Sequence, residues 1–272
     1  MVKVCRRPII TLLTDFGLVD SYVAEIKAVI LSICPDVQIV DISHEVRKFD
    51  IRMGAFLLMR ASKFFPKGTI HVAVVDPGVG TGRRPIIVEC ERSIYVGPDN
   101  GILMPSAQRE GIKHIYTIEN PRYMLGEISR TFHGRDIFGP AAAHLARGIP
   151  PSDFGPEIFD PVIPDFAKPK ILGDSIEGEI IHVDGFGNLI TNITPEELRV
   201  IGAREGEKLT VRLGGRDFDL KLCAAYGDVE PNMPLTLVGS CGLLEISVNQ
   251  GDASKLFGVR SGERIVVRRR IG

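Results

Sequence analysis

Apolar residues recur along this chain in two rhythms, and the change between them divides it. In the first, short apolar runs alternate with stretches of helical period. Residues 8–13 read as a strand, and from Asp20 or Ser21, either one a suitable N-cap, apolar residues recur at 22, 23, 26, 29, 30 and 33 until Pro35 forbids a further turn. A strand follows at 37–42, and a second helix starts at Asp50, carries Ile51, Ala55, Leu58 and Met59 on one face and stops before Pro66 and Gly68. The β-branched run 69–75 reads as a strand covered on both faces, and 85–89 and 93–97 as two strands joined by a short turn. The order strand, helix, strand, helix, strand predicts a largely parallel sheet with right-handed crossovers.

The second rhythm begins after six prolines at 150, 151, 156, 161, 164 and 169, which read as an inter-domain connector. Beyond them lie short strands at about 177–183, 188–193, 207–213, 216–222, 234–239, 243–248 and 263–269, with Gly214-Gly215 as a hairpin turn. This predicts an α/β domain over 1–165 and an antiparallel β-barrel over 166–272. Three polar loops punctuate the barrel, Asp184–Asn188, Gly239–Gly242 and Val248–Gly251. They read either as plain turns or as loops converging at one end.

Composition narrows the function classes. Of 272 residues 44% are apolar and 25% charged, and 33 Lys+Arg against 34 Asp+Glu leave a formal charge of −1, so no basic excess recommends a nucleic-acid partner. The five cysteines, at 5, 34, 90, 223 and 241, form no C-x-x-C pair and read as reduced thiols of a cytoplasmic protein. The basic start Met-Val-Lys-Val-Cys-Arg-Arg-Pro runs straight into a strand, and no apolar run approaches membrane-spanning length, so neither a signal peptide nor a membrane partner is expected.

The candidate chemistry lies where the strands end. The runs 8–13 and 69–75 lead to Asp15 and Asp76, and open parallel sheets bind ligands beyond the carboxyl ends of their strands. After Asp76, glycines at 78, 80 and 82 let the loop fold back and bring Arg83 or Arg84 to the carboxylate, either for proton transfer and anion binding or as a structural ion pair closing a turn. The strand-like 85–89 directly after these glycines excludes a dinucleotide fingerprint, and no Lys-Ser/Thr follows for a P-loop. His133, in Arg130-Thr-Phe-His-Gly-Arg-Asp136, falls just ahead of a helix, where it faces a cleft or caps the turn.

Taken together and in order, Thr14-Asp-Phe-Gly17, Val75-Asp-Pro-Gly-Val-Gly-Thr81, Pro98-Asp-Asn-Gly101, Phe132-His-Gly-Arg-Asp-Ile-Phe-Gly-Pro140, Asp184-Gly-Phe-Gly-Asn188 and Asn249 resemble the S-adenosyl-L-methionine hydrolase (adenosine-forming) family, the SAM hydroxide adenosyltransferases. The resemblance spans about residues 8–269. It implies an N-terminal α/β domain, a C-terminal β-barrel, and a homotrimer with sites between one subunit's N-domain and a neighbour's C-domain. It also implies hydrolysis of S-adenosyl-L-methionine (SAM) to adenosine and L-methionine without a cofactor or metal. By resemblance, Asp76, Arg83 and His133 activate the water and Arg84 is a bystander. Asp15 then holds the ribose hydroxyls and Phe49 lies at the ribose side, if it is not a core phenylalanine. Asp184, Asn188 and Ser240 match positions that hold the methionine amino and carboxylate groups, and Asn249 lies in the adenine-contacting segment.

Within the same superfamily the rival is a SAM-dependent halogenase, which carries a tyrosine at the position of Asp76. A carboxylate there repels halide but suits water deprotonation. Two readings from other classes stand beside it: a metal-dependent hydrolase using Asp15, Asp76, Asp99 and His133, and a non-catalytic sensor of SAM or adenosine.

Overall fold

A computed structural model describes residues 7–270, and the chain divides into two compact units, Met1–Pro164 and Asp165–Gly272. Cys5 and the rest of residues 1–6 lie outside the described residues. Cys34, Cys90, Cys223 and Cys241 are buried and form no disulfide among the described residues. Among the described residues no helix is long and apolar enough to cross a membrane.

In the first unit β1 (Ile9–Thr14), α1 (Tyr22–Ile33), β2 (Gln38–Ser43), α2 (Ile51–Ser62) and β3 (Ile70–Val74) follow the expected order. Then come β4 (Pro85–Cys90), β5 (Ile94–Pro98), α3 (Met104–Glu110) and β6 (Ile112–Thr117). The sheet order is β2-β1-β3-β5-β4-β6, parallel from β2 through β5 and antiparallel across β4. The chain leaves β1 for β2 on one side and returns through α2 to β3 on the other. The carboxyl ends of β1 and β3 therefore flank the crevice where the strand order reverses, the place where such sheets bind ligands.

The α1 and α2 periods are realised as read, with Val23, Ile26 and Ile30 of α1 buried and Asp50 Oδ1 accepting from Met53 N at 2.9 Å to cap α2. The short α3 and β6 are structure that the pattern reading passed over. So is the turn Gly134–Phe138, which has π-helical hydrogen bonding and leads into α4 (Gly139–Ala146). The core joins Ile10 and Leu12 of β1, Val72 and Val74 of β3, Ile26 and Ile30 of α1, and Phe138 and Ala141 around the start of α4.

The proline-rich stretch is no free connector over its first part. Phe154 is fully buried in that core, its carbonyl accepts from Glu119 N at 2.9 Å, and Val162 N donates to Asp99 Oδ1 at 2.9 Å. Prolines here shape a strap that covers the first unit, and one buried aromatic is enough to hold it down.

His71 on β3 is a fully buried titratable group in the sheet. Its Nδ1 lies 2.8 Å from Thr11 Oγ1, its ring stacks on Tyr95 at 5.0 Å, and burial lowers its pKa to about 4. In the unfolded chain the same group titrates near 6.5. The unfolded state therefore binds more protons between those two values, and stability falls as pH drops through that window, by about 3 kcal/mol once it is crossed. Urea unfolding at pH 7 and pH 4.5 is expected to show this loss, and His71→Gln to flatten the slope. An unchanged slope in that variant would remove His71 as its source.

The second unit is built from β7 (Lys170–Leu172), β8 (Ser175–Val183), β9 (Leu189–Thr191), α5 (Pro195–Val200), β10 (Lys208–Leu213), β11 (Arg216–Cys223), β12 (Pro234–Val238), β13 (Leu244–Val248), α6 (Ala253–Phe257) and β14 (Arg264–Arg269). β14 pairs with both β10 and β8, so seven strands, β8 to β14, close into a barrel with β7 outside it. Strand directions cannot alternate all the way round a closed ring of odd number. One neighbouring pair must run parallel, and it is β11 with β12. Ile176, Leu189, Leu209, Leu244, Ile246 and Ile265 fill the interior.

Candidate active site

Both carboxylates of the crevice sit where their strands end, and each is tied down differently. Beyond β3 the chain continues through buried Val75 to Asp76, and the glycine loop then turns back on itself, with Thr81 Oγ1 donating to Gly78 O at 2.6 Å. Gly80 has φ +74°, and a Cβ there would stand 2.2 Å from the carbonyl oxygen of Arg130, so only glycine lets this loop lie against the segment that carries His133.

The return brings Arg83 to Asp76. Its Nε lies 3.0 Å from both carboxylate oxygens and its Nη2 also donates to Oδ2, with side-chain exposures of only 10% and 6%. The same Nη2 is 2.9 Å from His133 Nδ1. A guanidinium has no acceptor, so Nδ1 must be the accepting nitrogen and the imidazole is neutral with its proton on Nε2. Burial, and then the adjacent Arg83 charge, lower the His133 pKa, against a smaller opposite pull from Asp76 and Asp136. The Arg83 guanidinium in turn lies 5.1 Å from the centre of the Phe138 ring. Arg84 takes no part: it donates to Asp99 Oδ2 at 2.6 Å and 2.9 Å and to Asp160 Oδ1 at 2.8 Å. Asp99 is thereby committed elsewhere, and among the described residues no cluster of three or more His, Cys, Asp or Glu side chains is arranged to hold a metal.

Asp76 and His133 line a cavity of about 340 Å³ together with Asp15, Phe49 and an aromatic wall of Phe16, Tyr22 and Phe132, whose rings meet edge to face at 5.2–5.9 Å. Arg83 is not in the lining. It stands behind the two groups and orients them. Asp15 is 5% exposed, and its Oδ2 accepts from Phe49 N at 2.8 Å while Oδ1 has no partner among the described residues. Phe49 is no core residue: its side chain is 68% exposed and its backbone is held at φ +65°. An aromatic residue in that region carries strain, which here serves to aim the amide at Asp15. Tyr22, Phe16 and Phe132 were not singled out by sequence because their spacing reads as ordinary helix and turn packing.

The barrel loops were expected to share one end as one possibility, and two of them do. Asp184 organises its own loop, Oδ1 accepting from Phe186 N at 2.9 Å and Asn188 N at 3.0 Å, and Oδ2 from Asn188 Nδ2 at 3.0 Å. β9 runs antiparallel to β13 with Leu189 opposite Ile246, which sets this loop beside Asn249 at the far end of β13. Ser254 N donating to Gly187 O at 2.9 Å joins them. Asn249 itself is buried and donates to Val229 O at 2.7 Å. Ser240 lies in the β12–β13 turn, which the antiparallel hairpin puts at the opposite end of β13, about 14 Å away along the strand.

Comparison with known proteins agrees with this architecture. Residues 10–155 match the family model of the SAM hydroxide adenosyltransferase N-terminal domain and residues 178–266 that of the C-terminal domain. The chain is 39% identical to an (R)-S-adenosyl-L-methionine hydrolase of Thermus thermophilus, over 92% of this chain and 95% of that protein. It is 30% identical to a fluorinase of Actinoplanes sp., over 96% and 97%. The crystal structure of an uncharacterized conserved protein from Thermotoga maritima superposes with a TM-score of 0.88 at 39% identity, covering 96% of this chain and all of that one. The two-unit fold, the ordered motifs and these matches over nearly the whole length establish that the chain belongs to the SAM hydroxide adenosyltransferase family.

Proposed function

We propose that this protein hydrolyses S-adenosyl-L-methionine to adenosine and L-methionine, with a water molecule attacking C5′ in line with the C5′–S bond. The observation that carries the reading is the Asp76 carboxylate, fixed by Arg83 and facing a cavity beside a neutral imidazole. A sulfonium leaves as a neutral thioether, so no general acid is needed and the work lies in the nucleophile. The water oxygen forms the bond to C5′, the C5′–S pair returns to sulfur, and the proton of the attacking water passes to Asp76. His133 cannot take it at Nδ1, which is occupied by Arg83. With Nδ1 taken by Arg83 the ring is held at the cavity wall, where its Nε2–H, shared with the Ser129 carbonyl, orients the water oxygen.

In this reading Asp15 accepts from the ribose hydroxyls through its unpartnered Oδ1, and Phe49 covers the ribose. Asp184 and Asn188 meet the methionine end, with Ser240 reaching the same ligand from the far end of β13, and Asn249 lies at adenine. The protein works without a cofactor or metal, in the cytoplasm, as a homotrimer in which a neighbour's barrel residues complete each site.

Incubating the purified protein with SAM, with and without chloride and with a chelator present throughout, is expected to yield adenosine and methionine in equal amounts. Light scattering on the same preparation is expected to give about three times 29.8 kDa. Formation of 5′-chloro-5′-deoxyadenosine would make the protein a halogenase, and binding of SAM without any product would make it a sensor.

A further inference from the structure

Behind Asp15 lies a hydrogen-bonded chain that the proposed chemistry does not use. Thr14, the last residue of β1 and fully buried, accepts at Oγ1 from Phe16 N at 3.3 Å, so its own proton is available to His44 Nδ1, 2.9 Å away. His44 is 4% exposed, and its Nε2 lies 3.1 Å from Asp41 Oδ1, close but bent away from hydrogen-bond alignment. Asp41 is held from its other side by Lys27 Nζ at 2.6 Å. The backbones are laced as well: Gly17 N donates to the His44 carbonyl at 2.8 Å and Val46 N to the Thr14 carbonyl at 3.4 Å. Asp15 thus projects from a turn whose preceding residue is pinned by a buried imidazole, while the segment after that imidazole supplies the Phe49 amide to its carboxylate.

We infer that His44 is a positioning residue for the ribose-binding carboxylate: acting through Thr14, it fixes the strand end from which Asp15 reaches the cavity. The inference rests on the ribose role proposed above for Asp15. A carboxylate meant to take hydroxyl hydrogen bonds must be placed within a few tenths of an ångström, and one hydrogen bond to Phe49 leaves it free to swing unless its backbone is fixed. Lys48 Nζ donates to the Asp15 carbonyl at 2.5 Å from one side, and the buried imidazole, the threonine and the two crossing backbone bonds fix the strand end behind it without touching the ligand.

The measurement is the ratio of dissociation constants for 2′-deoxyadenosine and adenosine, by calorimetry on the full chain. The wild type is expected to favour adenosine by about tenfold or more, because losing the hydroxyl leaves a buried carboxylate oxygen unpaired. Asp15→Asn is expected to bring the ratio near one. His44→Leu, which keeps bulk and removes the acceptor, is expected to do the same, and His44→Asn, whose side-chain oxygen stands near the place of Nδ1, to restore most of it. Loss of packing alone would weaken both ligands equally and leave the ratio untouched. Should His44→Leu fail to fold, Thr14→Val carries the same expectation with little change of shape. A wild-type ratio in folded His44→Leu or Thr14→Val, alongside a collapsed ratio in Asp15→Asn, overturns the positioning role and leaves the ribose reading standing. A wild-type ratio in Asp15→Asn overturns both.

Discussion

Asp76→Asn is expected to lower kcat for SAM hydrolysis by about a thousandfold while changing KM by no more than a few-fold. The substitution keeps the size of the side chain and one acceptor oxygen for Arg83, and it replaces the other oxygen, with the charge that accepts the proton, by an amide. The lost proton acceptor has no substitute elsewhere in the cavity lining: Asp15 is engaged by Phe49 at Oδ2 and, in the proposed reading, by the ribose hydroxyls at Oδ1, and His133 Nδ1 is engaged by Arg83. His133→Ala is expected to cost less, about a hundredfold, since it removes a water-orienting donor and not the acceptor. Steady-state kinetics of the two variants separate the roles. Equal losses would mean that the pair acts as one unit, and a near-wild-type kcat in Asp76→Asn would end the assignment of the base.

Replacing Arg83 is expected to affect both stability and turnover. Arg83→Leu strands a 6%-exposed carboxylate without its partner, and removing one member of a buried ion pair costs about 3–5 kcal/mol. For a unit of this size that corresponds to a melting temperature lower by about 10 °C. Turnover falls with it, because neither Asp76 nor His133 is then held. Arg83→Lys restores a positive charge but not the fork: an ammonium cannot bind both carboxylate oxygens and the His133 Nδ1 from one plane as Nε and Nη2 do. It is therefore expected to recover most of the melting temperature and little of the activity, as calorimetry and initial rates would show. Full recovery of activity in Arg83→Lys would reduce the role of Arg83 to charge balance.

The family matches reach fluorinases as well as SAM hydrolases, so likeness over the whole chain does not by itself separate water from halide as the nucleophile. The local geometry does bear on it. Asp76 and the lone pairs it turns toward the cavity repel a halide at the distance where water is drawn in.

Much of this was legible in the chain because it is written in local terms. The helical period after Ser21, the cap at Asp50, the β-branched run into Asp76 and the hairpin at Gly214-Gly215 depend on residues close in sequence, and each element forms where those signals lie. That Asp15 and Asp76 end strands could also be read directly. What sequence left open was every choice between distant partners. Arg83 and Arg84 are adjacent and chemically alike. Only the fold-back of the loop over Arg130 decides that one meets Asp76 and His133 while the other goes to Asp99 and Asp160. The exposure of Phe49 was equally undetermined, because a phenylalanine carries no mark of whether strain or burial will claim it. The separation of Ser240 from Asn249 follows from strand direction in the closed barrel, a property of the ring of seven and of no single loop. Local propensity set the pieces and their ends. The identity of neighbours across the sheet, the tautomer of His133 and the low exposure of Asp15 and Asp76 came from packing, which only the folded chain possesses.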